Sequence, residues 1–116
     1  MATIVATNAQ ASGTIAVTET TLTGTADTFT YKGAVNQLLI LRNATAGALT
    51  PVIDGAGTTT IAVAGVGSID LSGGYAVGSI AAGAVKCIYT DTISKYLVGA
   101  IAITGGTGLV ATLIEA

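Results

Sequence analysis

Histidine and tryptophan are absent from this chain of 116 residues, and charged residues make up only 9% of it. Typical soluble domains carry about 25% charged residues. Without histidine, the chain lacks the side chain that most often serves as a general base or a metal ligand. The four basic residues, Lys32, Arg42, Lys86 and Lys95, are scattered, whereas a nucleic-acid interface needs them clustered. The composition therefore argues against an enzyme and against a nucleic-acid partner.

Long apolar runs are also missing, although the mean hydropathy of +0.77 is high. The longest candidate, residues 74–85, has twelve residues and three glycines, which is too short for a spanning helix of about 20 residues. The amino-terminal stretch has neither a basic region nor a long apolar core, so we expect no secretory signal and no membrane partner. We expect a protein that is made in the cytoplasm, or carried on a particle assembled there, and that covers apolar surface against copies of itself or a partner.

Cysteine and proline occur once each, and threonine occurs 20 times. A single cysteine, Cys87, excludes an internal disulfide. Threonine, valine and isoleucine are β-branched and favour strands over helices. Side chains alternate with a period of two in several segments, for example at Ile61 and Val63, which is typical of strands with one covered face. The run Gln37–Leu41 is apolar almost throughout, which predicts a central strand covered on both faces.

Glycine-containing turns separate these segments every 8 to 12 residues, as in β-sandwiches and barrels. The predicted strands are 14–23, 27–33, 37–43, 49–54, 59–64, 67–71, 84–91, 95–104 and 109–115. No segment predicts a helix longer than one turn. Asp54-Gly55 is the sharpest hairpin signal, and the glycine-rich segment 105–108 is interpreted as a second hairpin turn rather than a phosphate-binding loop. We predict an all-β protein, an antiparallel β-sandwich of jelly-roll-like topology.

The first 13 residues differ from the rest because they are small, polar and poor in aromatic anchors. They predict either an edge strand through Thr3-Ile4-Val5 or an extended arm that becomes ordered against a neighbour. The predicted organisation is an arm or edge strand over residues 1–13 and one β-sandwich domain over residues 14–116. The candidate contact residues of the arm are Ala2, Thr3, Ile4, Val5, Ala6 and Thr7.

Candidate catalytic groups do not form a convincing set, so no catalytic, cofactor or metal site is predicted. Ser94 and Lys95 are adjacent, and neighbouring side chains of a strand point to opposite faces. Cys87 lies on an apolar face with Val85 and Tyr89, where thiols are usually inert. A calcium site over residues 54–57 would have a single carboxylate, which is too few for tight binding.

Sugar binding is a further possibility, because Tyr75 and Tyr96 occupy positions where an aromatic ring can be exposed. The absence of tryptophan weighs against it. The acids of the chain show no paired spacing of the kind that a glycosidase needs, and most lie beside predicted turns.

The organisation of the chain carries a resemblance. The run Leu39 to Tyr75, LILRNATAGALTPVIDGAGTTTIAVAGVGSIDLSGGY, has an apolar strand ending in Asn, an Ile-Asp-Gly segment, a Thr-rich strand and a closing Gly-Gly-Tyr turn. Segments 96–99 and 103–106 continue the same pattern. In these features the chain resembles small β-rich accessory proteins of tailed-bacteriophage particles, in particular head decoration or cement proteins.

The resemblance implies a structural virion protein on the capsid surface, which binds the major capsid protein and bridges capsomers. It also implies a rigid β body, self-association that often closes as a homotrimer, an arm or edge that adds to the capsid lattice, and no cofactor. Two alternatives stay open. One is another structural role in the same particle, in the tail, the neck or the fibre base, and the other is a monomeric carbohydrate-binding module.

Overall fold

The β-branched segments form ten strands within the described part of the computed structural model, which covers residues 2–9, 13–25, 27–33, 36–57 and 60–115. The strands are β1 (Ala6–Asn8), β2 (Thr20–Thr21), β3 (Gln37–Asn43), β4 (Val52–Gly55), β5 (Thr60–Val63), β6 (Gly67–Asp70), β7 (Tyr75–Ala76), β8 (Val85–Tyr89), β9 (Ile101–Thr104) and β10 (Leu109–Glu115). The chain is therefore β-rich, with several antiparallel sheets.

The larger sheet is organised around β10. Its strand order is β1-β10-β3-β8, and β2 also pairs with β10. β3 and β10 are antiparallel over their full length, from Leu109 opposite Asn43 to Glu115 opposite Gln37. β1 runs parallel to β10 beside residues 113–115, whereas β2 is antiparallel to it beside residues 110–111. The bounds predicted for 37–43 and 109–115 are confirmed.

The smaller sheet has the order β7-β4-β9, and its apolar residues share one core with those of the larger sheet. The buried core residues are Ile4, Leu22, Phe29, Leu39, Leu41, Ile53, Ile80, Ile93, Leu97, Ile101, Ile103, Leu109, Ala111 and Leu113. Within β3, Leu39 and Leu41 face this core, whereas Leu38 and Ile40 on the other face are only half-buried. The prediction that β3 is covered on both faces is wrong in that respect.

A third pair of strands, β5 and β6, forms a two-stranded hairpin. Nearly all of its residues are at least partly exposed, and Val66 in its turn is 70% exposed. Isolated two-stranded hairpins are marginally stable in water. This hairpin depends on its attachment to the body, which includes the buried Leu71 immediately after it.

The strand predicted over residues 95–104 is wrong in its first part. Thr90–Tyr96 forms a 3₁₀ helix with a kink at Ile93, so the strand expected from residue 95 begins only at Ile101. Thr90, Ile93 and Leu97 are buried at a spacing of three and four residues. That spacing is typical of a helix, but the β-branched residues around it favoured the prediction of a strand.

Two predicted hairpins are also corrected. Asp54 and Gly55 lie inside β4, which pairs with β7 and β9 and not with β5. The glycine-rich segment 105–108 joins β9 to β10, which belong to different sheets, so it is a crossover between sheets. Gly55 is required for close packing, because a Cβ atom there would lie 2.5 Å from the carbonyl oxygens of Tyr96 and Val98.

Candidate interaction surfaces

The predicted contact segment Ala2–Thr7 lies along the body of the protein. The Ile4 N–H donates a 2.8 Å hydrogen bond to the Thr28 carbonyl, and the Thr28 N–H donates a 2.9 Å bond to the Ala2 carbonyl. The Ile4 side chain is buried in the core, and Thr7 is buried beside β10. Thr3 and Val5 are exposed between them. The edge strand expected through Thr3-Ile4-Val5 is not formed there: Thr3 makes an isolated parallel bridge with Thr28, and the strand of this segment is β1 at Ala6–Asn8.

Asp27 anchors the beginning of this segment. Its carboxylate accepts hydrogen bonds from the backbone N–H groups of Ala2 (2.9 Å), Thr23 (3.1 Å) and Gly24 (2.9 Å), and from the Thr23 hydroxyl (2.7 Å). Burial would raise the pKa of Asp27, but these hydrogen bonds together outweigh it and hold the pKa below its ordinary value. The Asp27 backbone also bridges Ile103 of β9. Asp27 therefore joins the amino-terminal segment, the turn at residues 23–24 and the smaller sheet.

The outer side of β8 is a second candidate surface. Val85 is 55% exposed, Tyr89 is 57% exposed, and Cys87 between them is exposed as well. These three side chains do share a face, as their alternation predicts, but that face is open to solvent. Cys87, expected as an inert thiol on an apolar face, is exposed, because β8 lies at the end of the larger sheet, where fewer neighbours cover it. Half-buried Leu38 and Ile40 of β3 extend the apolar surface, opposite Tyr89 and Cys87 respectively.

Tyr75 and Tyr96, which were considered for sugar binding, do not form an exposed aromatic surface. Tyr75 and Tyr96 contact each other edge to face, with ring centroids 5.6 Å apart. Both rings are partly buried against the core. Tyr31 is engaged elsewhere, because its hydroxyl donates a 2.8 Å hydrogen bond to Asp91, and this bond raises the pKa of Tyr31.

The acidic side chains take part in separate local contacts. Glu19 pairs with Arg42 and Glu115 pairs with Lys32, each at 3.2 Å, and Asp70 accepts a hydrogen bond from the Ser72 N–H. Asp54 has one buried carboxylate oxygen without a hydrogen-bond partner among the described residues. The described ranges contain no group of three or more potential metal ligands.

Ser94 and Lys95 lie in the 3₁₀ helix, not in the strand on which their separation was argued. Adjacent residues of such a helix also point in different directions, because it has three residues per turn.

Two surface clefts complete the candidates. One, of about 440 Å³, is lined by residues 28–31 and by residues 97 and 99–101. The other, of about 380 Å³, lies between the amino-terminal segment and the Lys32–Glu115 ion pair. The charged groups of this second cleft are already paired with each other. Gln37, which is buried, binds Glu115 as well through its side-chain amide at 3.2 Å.

Comparisons with protein-family models, with curated proteins and with solved structures gave no match to this chain. Within the described ranges, no helix is both long enough and apolar enough to cross a membrane. Five of the seven exposed large apolar side chains among the described residues lie in three elements of the β-rich body. These elements are the strip around Thr3 and Val5, the outer side of β8, and the β5–β6 hairpin.

Sequence reasoning identified the first of these elements and missed the other two as surfaces. The signal for the hairpin was present in the absence of charge from Thr60 to Ile69, which is unusual for an exposed ribbon. For β8, alternation identified the shared face of Val85, Cys87 and Tyr89. It carried no information on which side of the sheet is covered.

Proposed function

We propose that this chain is a structural protein of a virus particle, which decorates the outer surface of a phage head and stabilises it by bridging capsomers. The observation that carries the proposal is the set of exposed large apolar side chains, among them Val66, Val85 and Tyr89, on a chain with only 9% charged residues. Soluble monomers rarely leave large apolar patches uncovered, and such patches mark surfaces that bind other proteins. The resemblance to decoration proteins implies the major capsid protein as the partner.

The amino-terminal segment is the proposed capsid contact. Because Ile4 and Thr7 are anchored in the body, the residues offered to a partner are Thr3 and Val5. An exposed extended segment can add to the sheet of a neighbour through main-chain hydrogen bonds. In this proposal the segment is held in place before binding, which lowers the ordering cost of association.

The topology of the sheets and the number of copies in the assembly are part of the same proposal. We propose that the two sheets form a jelly-roll-like sandwich and that three copies close around a threefold axis on the capsid. The β5–β6 hairpin supports self-association, because a ribbon with so little packing of its own gains stability when a neighbour covers it.

The test is binding to capsids that lack the protein. Purified chain is mixed with such capsids, and bound protein is measured by co-sedimentation together with the temperature at which the capsids open. The proposal expects saturable binding and a raised opening temperature. Absence of binding to matching capsids would overturn it.

A matched pair of variants tests the contact segment. Val5→Lys places a charge on the exposed strip, and Thr25→Lys places the same charge on an exposed residue outside it. We expect Val5→Lys to weaken capsid binding at least tenfold and Thr25→Lys to leave it unchanged. Equal binding by the two variants would remove the segment from the proposal. Deletion of residues 2–12 is a poorer test, because it also removes Ile4 from the core and a hydrogen bond from Asp27.

Another structural role in the same particle would give a different assembly. A tail-tube protein would form rings or open tubes, which electron microscopy of the purified chain would show.

A further inference from the structure

β8 presents an apolar face, and among the described strands none pairs with its second backbone edge, called here the open edge. The Asn43 N–H donates a 2.9 Å hydrogen bond to the Ala84 carbonyl, which fixes the phase of the β3–β8 ladder. In an antiparallel pair, residues alternate between facing their neighbour and facing away. Lys86 and Ile88 therefore direct their backbone groups toward β3. Val85, Cys87 and Tyr89 direct theirs toward the open edge.

This edge is complementary to a second copy of itself. When two β8 strands are placed antiparallel with Cys87 opposite Cys87, Val85 lies opposite Tyr89 of the second copy on both sides of the centre. Aliphatic–aromatic pairs of this kind stabilise antiparallel strands. All six side chains lie on the face that is exposed in the single chain.

The charges on the strand favour this register. Lys86 is the only charged residue of β8, and in this register it lies opposite Ile88 of the second copy. A shift of two residues toward the start of the strand would place Lys86 opposite Lys86, and like charges in opposite positions are destabilising. The pairing ends at Tyr89, because the chain continues there as the 3₁₀ helix Thr90–Tyr96.

We propose that β8 pairs with β8 of a second copy of this chain around a twofold axis at Cys87, which joins the two larger sheets into one continuous sheet. The proposal goes beyond the capsid function and does not depend on it, because the pairing requires only this chain. It is also distinct from a threefold contact, since a twofold contact uses the same surface on both copies.

Cysteine crosslinking tests the register directly. The purified, reduced chain is treated with a mild oxidant and examined on a non-reducing gel. Cysteines at directly opposite positions have Cα atoms about 5.5 Å apart, which suits a disulfide. We expect rapid conversion of the natural chain to a covalent dimer. Absence of the dimer would overturn the proposal.

The matched control moves the thiol along the same exposed face. In the double variant Cys87→Ser with Val85→Cys, the two thiols lie four residues apart along the paired strands, about 13 Å at 3.3 Å per residue. This variant should crosslink at least tenfold more slowly. Equal rates at the two positions would indicate random collision and would overturn the register.

The solution mass supplies an independent readout. Cys87→Ser keeps the size of the side chain, whereas Cys87→Lys places two like charges opposite each other at the twofold axis. Position 87 is exposed, so both variants should retain the circular dichroism spectrum of the natural chain. We expect the light-scattering mass of Cys87→Lys to be half that of Cys87→Ser. Equal masses of the two variants would overturn the β8 pairing, whether or not the protein binds capsids. Failure to bind capsids would overturn the proposed function and would not bear on the β8 pairing.

Discussion

The backbone N–H of Ala2 donates a 2.9 Å hydrogen bond to the Asp27 carboxylate, across a separation of 25 residues. Three further donors of residues 23 and 24 converge on the same carboxylate. The buried side chain of Asp27 thus holds the amino-terminal segment on the body and also stabilises the turn at residues 23–24.

Replacement of Asp27 by alanine should lower the free energy of unfolding by about 3 kcal/mol, because it leaves four partly buried donors without an acceptor. The control is Asp70→Ala at an exposed position whose carboxylate bonds only locally to Ser72. The control should change stability by less than about 0.5 kcal/mol. Urea unfolding of the three proteins measures both effects, and similar losses in the two variants would contradict the anchoring role of Asp27.

Stability should also depend on pH through Asp27. Its pKa in the folded protein is below the ordinary value of 3.8, so the folded state favours the ionised form. The stabilisation is therefore fully present above the ordinary pKa and is lost as the pH falls through the lower, folded-state value. Unfolding experiments between pH 2 and pH 6 should show a steeper acid loss for the natural chain than for Asp27→Asn. Parallel curves would show that another carboxylate governs the acid transition.

The faces of the larger sheet should respond differently to truncation. Leu39→Ala removes a fully buried side chain from the core and should cost about 3 kcal/mol. Val85→Ala removes methyl groups from an exposed position on β8 and should cost less than about 0.5 kcal/mol in the separated chain. Denaturant unfolding measures both, at a protein concentration low enough to keep the chain unassociated. A large loss for Val85→Ala under those conditions would mean that the outer face of β8 is covered.

Gly55→Ala should be poorly tolerated. The added methyl group would lie 2.5 Å from two backbone carbonyl oxygens, and backbone atoms cannot move aside cheaply. We expect a loss of about 2 kcal/mol. Gly47→Ala is the matched control, because no atom lies within 4 Å of the added methyl group. The thermal midpoints of the two variants make the comparison, and equal midpoints would contradict the close approach of residues 96–98 to β4.

The sequence was most informative where a strand has a continuous apolar signal with clear ends. β3 begins at Gln37 and ends at Asn43, and β10 follows Gly108, so both bounds were predictable. The threonine-rich segment 14–23 predicted a long strand, but only Thr20–Thr21 forms one. Threonine favours strands, yet it supplies little apolar surface to fix a strand against a core.

Where the structure differs from the sequence prediction at residues 54–55, 87 and 27, the difference comes from contacts between distant segments. Asp54-Gly55 has the local chemistry of a hairpin turn, but both residues pair with β9 instead. For Cys87, a period of two defines a face and does not state whether a second layer covers it. The buried role of Asp27 was likewise beyond sequence reasoning, because its donors come from separate segments that meet only in the folded chain.

The place of β10 in the larger sheet has a consequence for how the chain folds. β1, β2 and β3 all pair with β10, yet β10 is synthesised after the other nine described strands. A nascent chain that has emerged only as far as Gly108 lacks the strand that joins these three. The larger sheet can therefore form only after residues 109–115 leave the ribosome, and folding is expected to be slow because its defining contacts are distant in sequence.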